Sequence, residues 1–422
     1  MRVTTLLRKL VGVPGMRVTA IEVEDGALVT RVRPSWREPR CGRCGRRPRG
    51  QRPGGASVAT PDRRWRHLDL AGVRLYLSYD VRWVYCPDCG RTVEQVPWSS
   101  TTESRYTDVF EEHVAYMAQR TDKTAVQRML RVAWASVGRC IERVVARLRP
   151  QDLLADLTAI GVDELSYRKQ HHYLTLVTDH VNRRIVWGKK GRSAETLQAF
   201  FEELGPEGRE QLQLVSMDMS GGYKKALREN SDLEHVQVVF DRFHVQQLAS
   251  KALDETRREE WNRLRREHGK KSHEAKSLKG LRWTLLRDAL TLSEAQQIRL
   301  SELQRDNARL YRAYLLKEEL GDVLDRRQPN VVRELLTKWC SWASRSRLSA
   351  FVRTARTIRE HMDGIVAYVR HRITNGLVEG LNNKARLLTR RAYGFHSAEA
   401  VLALIELCCS GLELDPGHHS LQ

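Results

Sequence analysis

The 422 residues contain no apolar run near the roughly 20 residues that a membrane helix needs, and the opening MRVTTLLRKLVGVPG has neither a signal-peptide core nor a cleavage site. A membrane or secreted protein is excluded on this reading, and a cytoplasmic one is expected. Acidic residues are scarce too: 52 Asp and Glu stand against 72 Lys and Arg, a formal charge of +20. That surplus is foreign to an enzyme of small-molecule substrates and natural in a chain that binds a polyanion. Residues 1–150 carry 28 of the basic and 15 of the acidic residues, so the grip on nucleic acid is expected there. Cysteine is sparse for a disulfide framework. Four of the eight form two Cys-x-x-Cys pairs, and Cys140, Cys340, Cys408 and Cys409 sit in apolar, helical contexts where buried thiols are ordinary.

What is present begins with alternation. MRVTAIEVEDGALVTRVRP alternates apolar and polar side chains around Asp25-Gly26, which reads as a two-stranded hairpin. Cys41-Gly-Arg-Cys44 follows, then a Pro/Gly/Arg loop, then WRHLDLAGVRLYLSYDVRWVYC with the same alternation on both sides of Ala71-Gly72. The second hairpin ends in Cys86-Pro-Asp-Cys89. Each Cys-x-x-Cys turn aims two sulfurs at one point, so Cys41, Cys44, Cys86 and Cys89 are the expected ligands of a structural zinc ion. No adjacent His suggests a catalytic one.

From Ser104 the period becomes helical: YTDVFEEHVAYMAQR, DKTAVQRMLRV and AWASVGRCIERVVARLR predict three helices in a helix-turn-helix arrangement. Ala135, Ser136, Arg139 and Arg143 would then face a DNA major groove. After Pro150, AIGVDELSYR, HYLTLVTDH and RRIVWGKKGR predict three strands. Ser193 caps a helix, QLQLVSMDMS is a fourth strand, GGYKKALREN a helix, and HVQVVFDRFHV a fifth strand. That β-β-β-α-β-α-β order is the order of an RNase H-like core. Residues from about 245 to 370 read as helix throughout, with a capping box at Ser293 and Gln296, and a final helix begins near Gly376.

The predicted fold is therefore α/β, an RNase H-like mixed sheet with a helical insertion, preceded by a zinc-binding β module and a helix-turn-helix. The expected boundaries are 1–100 for the zinc module, 101–150 for the helix-turn-helix, 151–244 for the first part of the core, 245–370 for the insertion, and 371–422 for the core's final helix and tail.

Three acids stand out in this frame. Asp163 is expected to end the first strand with Glu164 pointing the opposite way, Asp218 to end the fourth, and Glu379 to come from the final helix laid across the sheet. Carboxylates brought together repel unless a cation lies between them, and hard oxygen ligands suit Mg²⁺ or Mn²⁺. Two such ions would serve an in-line displacement at phosphorus. Asn382, Asn383 and Arg386 follow Glu379 on the same helical face and would hold a DNA backbone.

With these residues in view, the chain resembles the ISL-three family of bacterial insertion-sequence transposases. The resemblance lies in both cysteine pairs, GVDELSYRKQHHYLTLVTD, GRSAETLQAFF, VSMDMSGGYKKAL, VVFDRFHVQQL, YLLKEEL and TNGLVEGLNNKARLLTRRAYGFHS, which span nearly the whole chain. It implies a DDE transposase that reads terminal inverted repeats, with Asp163, Asp218 and Glu379 as catalytic acids. Asp241 and His244 in FDRFH match a supporting Asp-x-x-His element, with Asp241 a rival to Asp218 as metal ligand. Its partners would be double-stranded DNA at the element's ends and target. A homodimer is expected, since both ends must be cut together. The alternatives are a non-catalytic DNA-binding regulator, which intact acids argue against, and an RNase H-like nuclease, which would not need so large a basic reading head.

Overall fold

The computed structural model describes residues 3–48, 58–168, 172–219, 221–269, 273–371, 376–392, 395 and 397–414. Parts of the motifs quoted above, at 169–171, 220, 374–375, 393–394 and 396, lie outside these, as does most of the loop after the first cysteine pair. The chain forms two compact units, residues 1–151 with 388–422, and residues 152–387.

The first unit opens with a short helix that the sequence pattern did not announce, α1 (Val3–Val11), which buries Leu7 and Val11 and stops at Gly12, whose φ is +66°. The first hairpin pairs β1 (Met16–Glu24) with β2 (Ala27–Pro34), and the second pairs β3 (Val58–Leu70) with β4 (Val73–Cys86). Both turns have two residues at positive φ, Asp25-Gly26 and Ala71-Gly72. Such turns match the twist of the flanking strands. A parallel pairing of β2 with β4, Leu28 opposite Leu75, joins the hairpins into one sheet of order β1-β2-β4-β3. Its core holds Trp65 and Trp98 edge to face at 5.5 Å, with Tyr79 against Trp98 at 5.6 Å. A short strand, β5 (Gly90–Val93), folds back on the end of β4, so Cys86 and Cys89 sit in a tight turn between paired strands.

Three helices follow: α2 (Asp108–Arg120), α3 (Lys123–Leu130) and α4 (Trp134–Leu148). Thr107 and Asp122 cap the first two, Asp122 accepting from the amides of Thr124 and Ala125 at 2.9 Å each. Caps of this kind stabilise a helix by about 1 kcal/mol.

In the second unit, β6 (Ala159–Arg168), β7 (His172–Asp179) and β8 (Arg184–Lys190) form an antiparallel meander. The chain then crosses through α5 (Ala194–Gln211), which is capped by Ser193 and broken at Gly205-Pro206, to β9 (Leu214–Met217). It crosses again through α6 (Gly221–Arg228) to β10 (Gln237–Phe240). Strands β9 and β10 lie parallel to β6 and to each other, giving the order β10-β9-β6-β7-β8. Leu197, Phe200 and Phe201 of α5 pack on Val162, Val177 and Trp187 of the sheet.

Asp241 then caps α7 (Arg242–Glu267), and every further element described up to residue 371 is helical. These are α8 (His273–Gly280), α9 (Arg282–Leu286), α10 (Glu294–Asp306), α11 (Ala308–Leu324), α12 (Pro329–Arg345), α13 (Ser349–Glu360) and α14 (Met362–His371). The last of them returns to the sheet. A Cβ on Gly364 would stand 2.5 Å from the Phe240 ring, so glycine is what lets α14 lie close on β10. Next comes α15 (Gly376–Arg391). Residues 371–422, expected as one segment of the core, divide at Leu388: α16 (Ala398–Cys409) packs with α2 and α4 inside the first unit. No helix among the described residues is long and apolar enough to cross a membrane.

Candidate active site and metal centre

Asp163 does not end its strand, because β6 continues to Arg168. It lies just past the stretch paired with β9, where Gly161 stands opposite Ser216. Two residues further along the same register are Asp163 and Asp218. On the other side of β9, Met217 stands opposite Phe240, so the next residues in that register are Asp218 and Asp241. Continued past the paired residues, these registers would set the three aspartates side by side, Asp163 within β6 and Asp218 and Asp241 just past the ends of β9 and β10.

Burial pushes the Asp163 carboxyl above the usual carboxylate range, and the charge of Asp218 pushes the same way. Three groups oppose this: the Glu164 amide, donating to Oδ1 at 2.7 Å, and the charges of His244 and Arg386. Asn382, nearly fully buried on α15, donates its Nδ2 to Asp163 Oδ2, and its own Oδ1 is buried without a hydrogen-bond partner. Arg386 also donates to Asn383 Oδ1 at 3.1 Å.

Glu164 lies closer to the acids electrostatically than strand alternation alone suggests. Its side chain does leave the other face of β6 from Asp163, yet it remains within the field of Asp218, which follows the end of β9. Burial raises its carboxyl, Asp218 raises it further, and Arg192 at 3.8 Å partly compensates. Tyr223 of α6, fully buried, hydrogen-bonds Thr175 at 2.9 Å and Glu164, and the charges of Asp163, Glu164 and Asp218 all push its hydroxyl up. Glu164, Arg192 and Tyr223 were missed because their role depends on where the Asp218 loop falls. The available signal was the acidic pair Asp163-Glu164 itself.

Glu379 is exposed in the first turn of α15, three residues before Asn382. Among the described residues it does not join Asp163 and Asp218 in a cluster of three ligand atoms. Asp241 is buried and accepts from the Phe243 amide at 3.2 Å as the cap of α7, which sets His244 in that helix's first turn. Carboxylates in one another's field suit a hard divalent cation, which would offset the burial and the Asp218 charge that raise Asp163 and Glu164. The unpartnered Asn382 oxygen offers a further hard donor.

The four cysteines do converge. Their sulfurs lie within 4.8 Å of one another, with Cys44 and Cys86 3.6 Å apart. The amides of Cys89 and Asp88 bring the Cys86 thiol down to about 7, whereas contact with Cys44 and the other thiols pushes Cys89 up to about 12. Close approach is enforced by the backbone: a Cβ on Gly42 would meet the Val93 oxygen at 2.4 Å. A closed set of four sulfurs is compatible with tetrahedral zinc and leaves no position for a substrate.

On α4, Ala135 and Arg139 are exposed, but Ser136 and Arg143 are not available to a groove. Ser136 is buried, and Arg143 pairs at 2.6 Å with Glu111 of α2, a carboxylate with no solvent exposure. The apolar face of α4 packs on α2, and these two positions lie on that side.

A family model described as transposase matches residues 160–405. The chain is 37% identical to the transposase for insertion sequence element IS1557 of Mycobacterium tuberculosis over all of its own length and 99% of that protein's. It is 29% identical to the transposase for insertion sequence element IS1001 of Bordetella parapertussis, over 93% and 95% of the two chains. The chain therefore belongs to the ISL-three family of transposases, enzymes that cleave DNA.

Proposed function

We propose that this enzyme is a DDE transposase that binds the terminal inverted repeats of its own element, cuts DNA there and joins the ends to target DNA. The observation that carries the reading is the row of Asp163 and Asp218 at matched register, with Asn382 of α15 bonded to Asp163. The strand order of the second unit, with three antiparallel strands and two parallel additions, is the order of an RNase H-like sheet and supports the assignment.

Asp163, Asp218 and Glu379 would hold divalent cations, Mg²⁺ or Mn²⁺. When bound, such ions make water or a DNA 3′-hydroxyl nucleophilic and stabilise the leaving oxygen. The side chains do the rest. Asn382 orients Asp163 by its hydrogen bond, while the charges of His244 and Arg386 partly offset the burial that raises the carboxyl. In cleavage, water oxygen attacks phosphorus and the bond to the DNA 3′-oxygen breaks, freeing a 3′-hydroxyl. In joining, that hydroxyl attacks a target phosphodiester and displaces a new 3′-hydroxyl. Asp241 is read as the structural cap of α7 that places His244.

Zinc on the four cysteines would hold the two hairpins of the first unit in the shape that reads the ends, with Arg139 and Ala135 on the open face of α4. Two copies would act together on two ends. The test is incubation of the purified protein with end-containing DNA and Mg²⁺, comparing wild type with Asp163→Asn. Loss of cutting in the variant is expected, and equal cutting by both would refute the assignment of the acids.

A further inference from the structure

Beside the acids, on the outer side of α6, the second unit has an open cavity of about 280 Å³ between α6, β10 and the junction of α13 and α14. Its polar lining holds two cations, Lys224 and Arg228, one turn apart on α6, together with His361, Gln237 and the acids Glu360 and Asp363. Like charges at this spacing repel along a helix. Among the described residues neither Lys224 nor Arg228 has an acidic partner within ion-pair distance. Of the two lining acids, Glu360 is the one whose charge reaches Lys224. Asp363 is engaged by Arg333 at 2.6 Å, and Glu360 is exposed at the rim.

His361 fixes the lysine. Its ring is buried, packs edge to face on Phe240 at 4.9 Å, and its Nδ1 lies 2.7 Å from the Thr357 carbonyl, so Nδ1 carries the hydrogen. Nε2 is then an acceptor, and the Lys224 ammonium donates to it. Two ammonium hydrogens and the Arg228 guanidinium remain for an anion. The site is also tied to the reaction centre, because α6 begins three residues after Asp218, whose charge reaches Lys224.

We propose that this cavity is a phosphate subsite, in which Lys224 and Arg228, with Lys224 held by His361, grip one backbone phosphodiester of the DNA strand next to the reacting one. The cavity is small for a drug-sized ligand, but a single phosphate with its waters suits it. Arg and Lys are the usual phosphate grips, Arg by its fork and Lys as a point charge. The inference rests on the DNA-cleaving reading of the acids, although its test does not depend on cutting.

The full-length protein, wild type and the variants Lys224→Met and Arg228→Met, is titrated with an end-containing duplex at increasing salt without Mg²⁺. Each variant is expected to bind several-fold more weakly and to flatten the log–log salt slope, the two substitutions combined removing about 0.9, the value of one neutralised phosphate. A scan of single methylphosphonate substitutions then locates the phosphate. At one position the substitution should weaken wild type and leave the variants unaffected, a result that general damage to the fold does not give. Arg228 is exposed, so its variant stands even if Lys224→Met folds poorly. Slopes and affinities equal to wild type in both variants overturn the proposal. So does inorganic phosphate binding that both variants abolish while their DNA affinity is unchanged. Cutting by Asp163→Asn in the same preparation would instead refute the active-site reading and leave the phosphate subsite to be judged by its slopes.

Discussion

Asn382 donates a hydrogen bond to the Asp163 carboxylate across 219 residues of sequence, linking α15 to β6, the central strand of the second unit's sheet. Asn382→Ala removes this donor from Oδ2 and leaves the carboxylate only the Glu164 amide on Oδ1. Partners of this kind typically contribute 10–100-fold to metal affinity or activity. The half-saturating Mg²⁺ concentration for DNA cutting should rise by about that factor, and an unchanged Mg²⁺ titration would show that the bond is incidental.

Glu164→Gln tests whether the acid beside Asp218 belongs to the reaction centre. It removes one of three mutually repelling charges near Asp218. The half-saturating Mg²⁺ concentration is expected to rise several-fold, whereas Glu195→Gln, an exposed acid of α5, should leave it unchanged.

Burial lowers the imidazole of His180 to about 4, and Ser216 lies 2.8 Å from its Nε2. An unfolded histidine titrates near 6.5, so between these values the unfolded chain binds more protons than the folded one. Stability is therefore full above pH 6.5, falls as pH drops, and levels off near 4, a loss of roughly 3 kcal/mol. Urea unfolding followed by tryptophan fluorescence at several pH values should show this slope in wild type, flattened in His180→Asn.

Arg143→Ala takes the nearer cation from the buried Glu111 and leaves it Arg147 at 3.5 Å and the Ser104 hydroxyl. It should therefore cost less than the roughly 3–5 kcal/mol of a wholly unpaired buried charge but clearly more than a surface change. Arg139→Ala, at an exposed position, should stay within about 0.5 kcal/mol of wild type yet weaken binding to end DNA. Thermal unfolding and DNA binding measured side by side separate the two. The opposite pattern would restore Arg143 as a groove contact.

Chelation of zinc, or Cys86→Ser, should abolish end binding and unfold the cysteine-bearing hairpins while the second unit keeps its own unfolding transition. Metal binding in sites of four sulfurs is largely folding free energy. Normal end recognition by metal-stripped protein would assign the cysteines another purpose.

Much of this architecture is local and therefore readable in the chain. The turns at Asp25-Gly26 and Ala71-Gly72, the caps at Asp122 and Ser193, and the alternation of β6 through β8 each depend on a few neighbouring residues. The acids could be named because each stands near a strand end or on a helix. What escaped depends on tertiary partners. Strand pairing of β2 with β4 unites residues far apart in sequence. Ser136 and Arg143 face inward because of α2, which periodicity along α4 alone does not reveal. Alternation put Glu164 on the face away from Asp163 but could not show that the Asp218 loop charges both faces. The small helix α1 was hidden by its length, as short helices owe their stability to packing more than propensity.

The packing of α16 against α2 and α4 has a consequence for synthesis. The helical bundle of the first unit begins at residue 108 and lacks one of its members until residue 409 has left the ribosome. The entire second unit is made in between and can fold first. A nascent or prematurely terminated chain therefore carries the second unit without a finished bundle, and whatever requires the complete bundle arrives last.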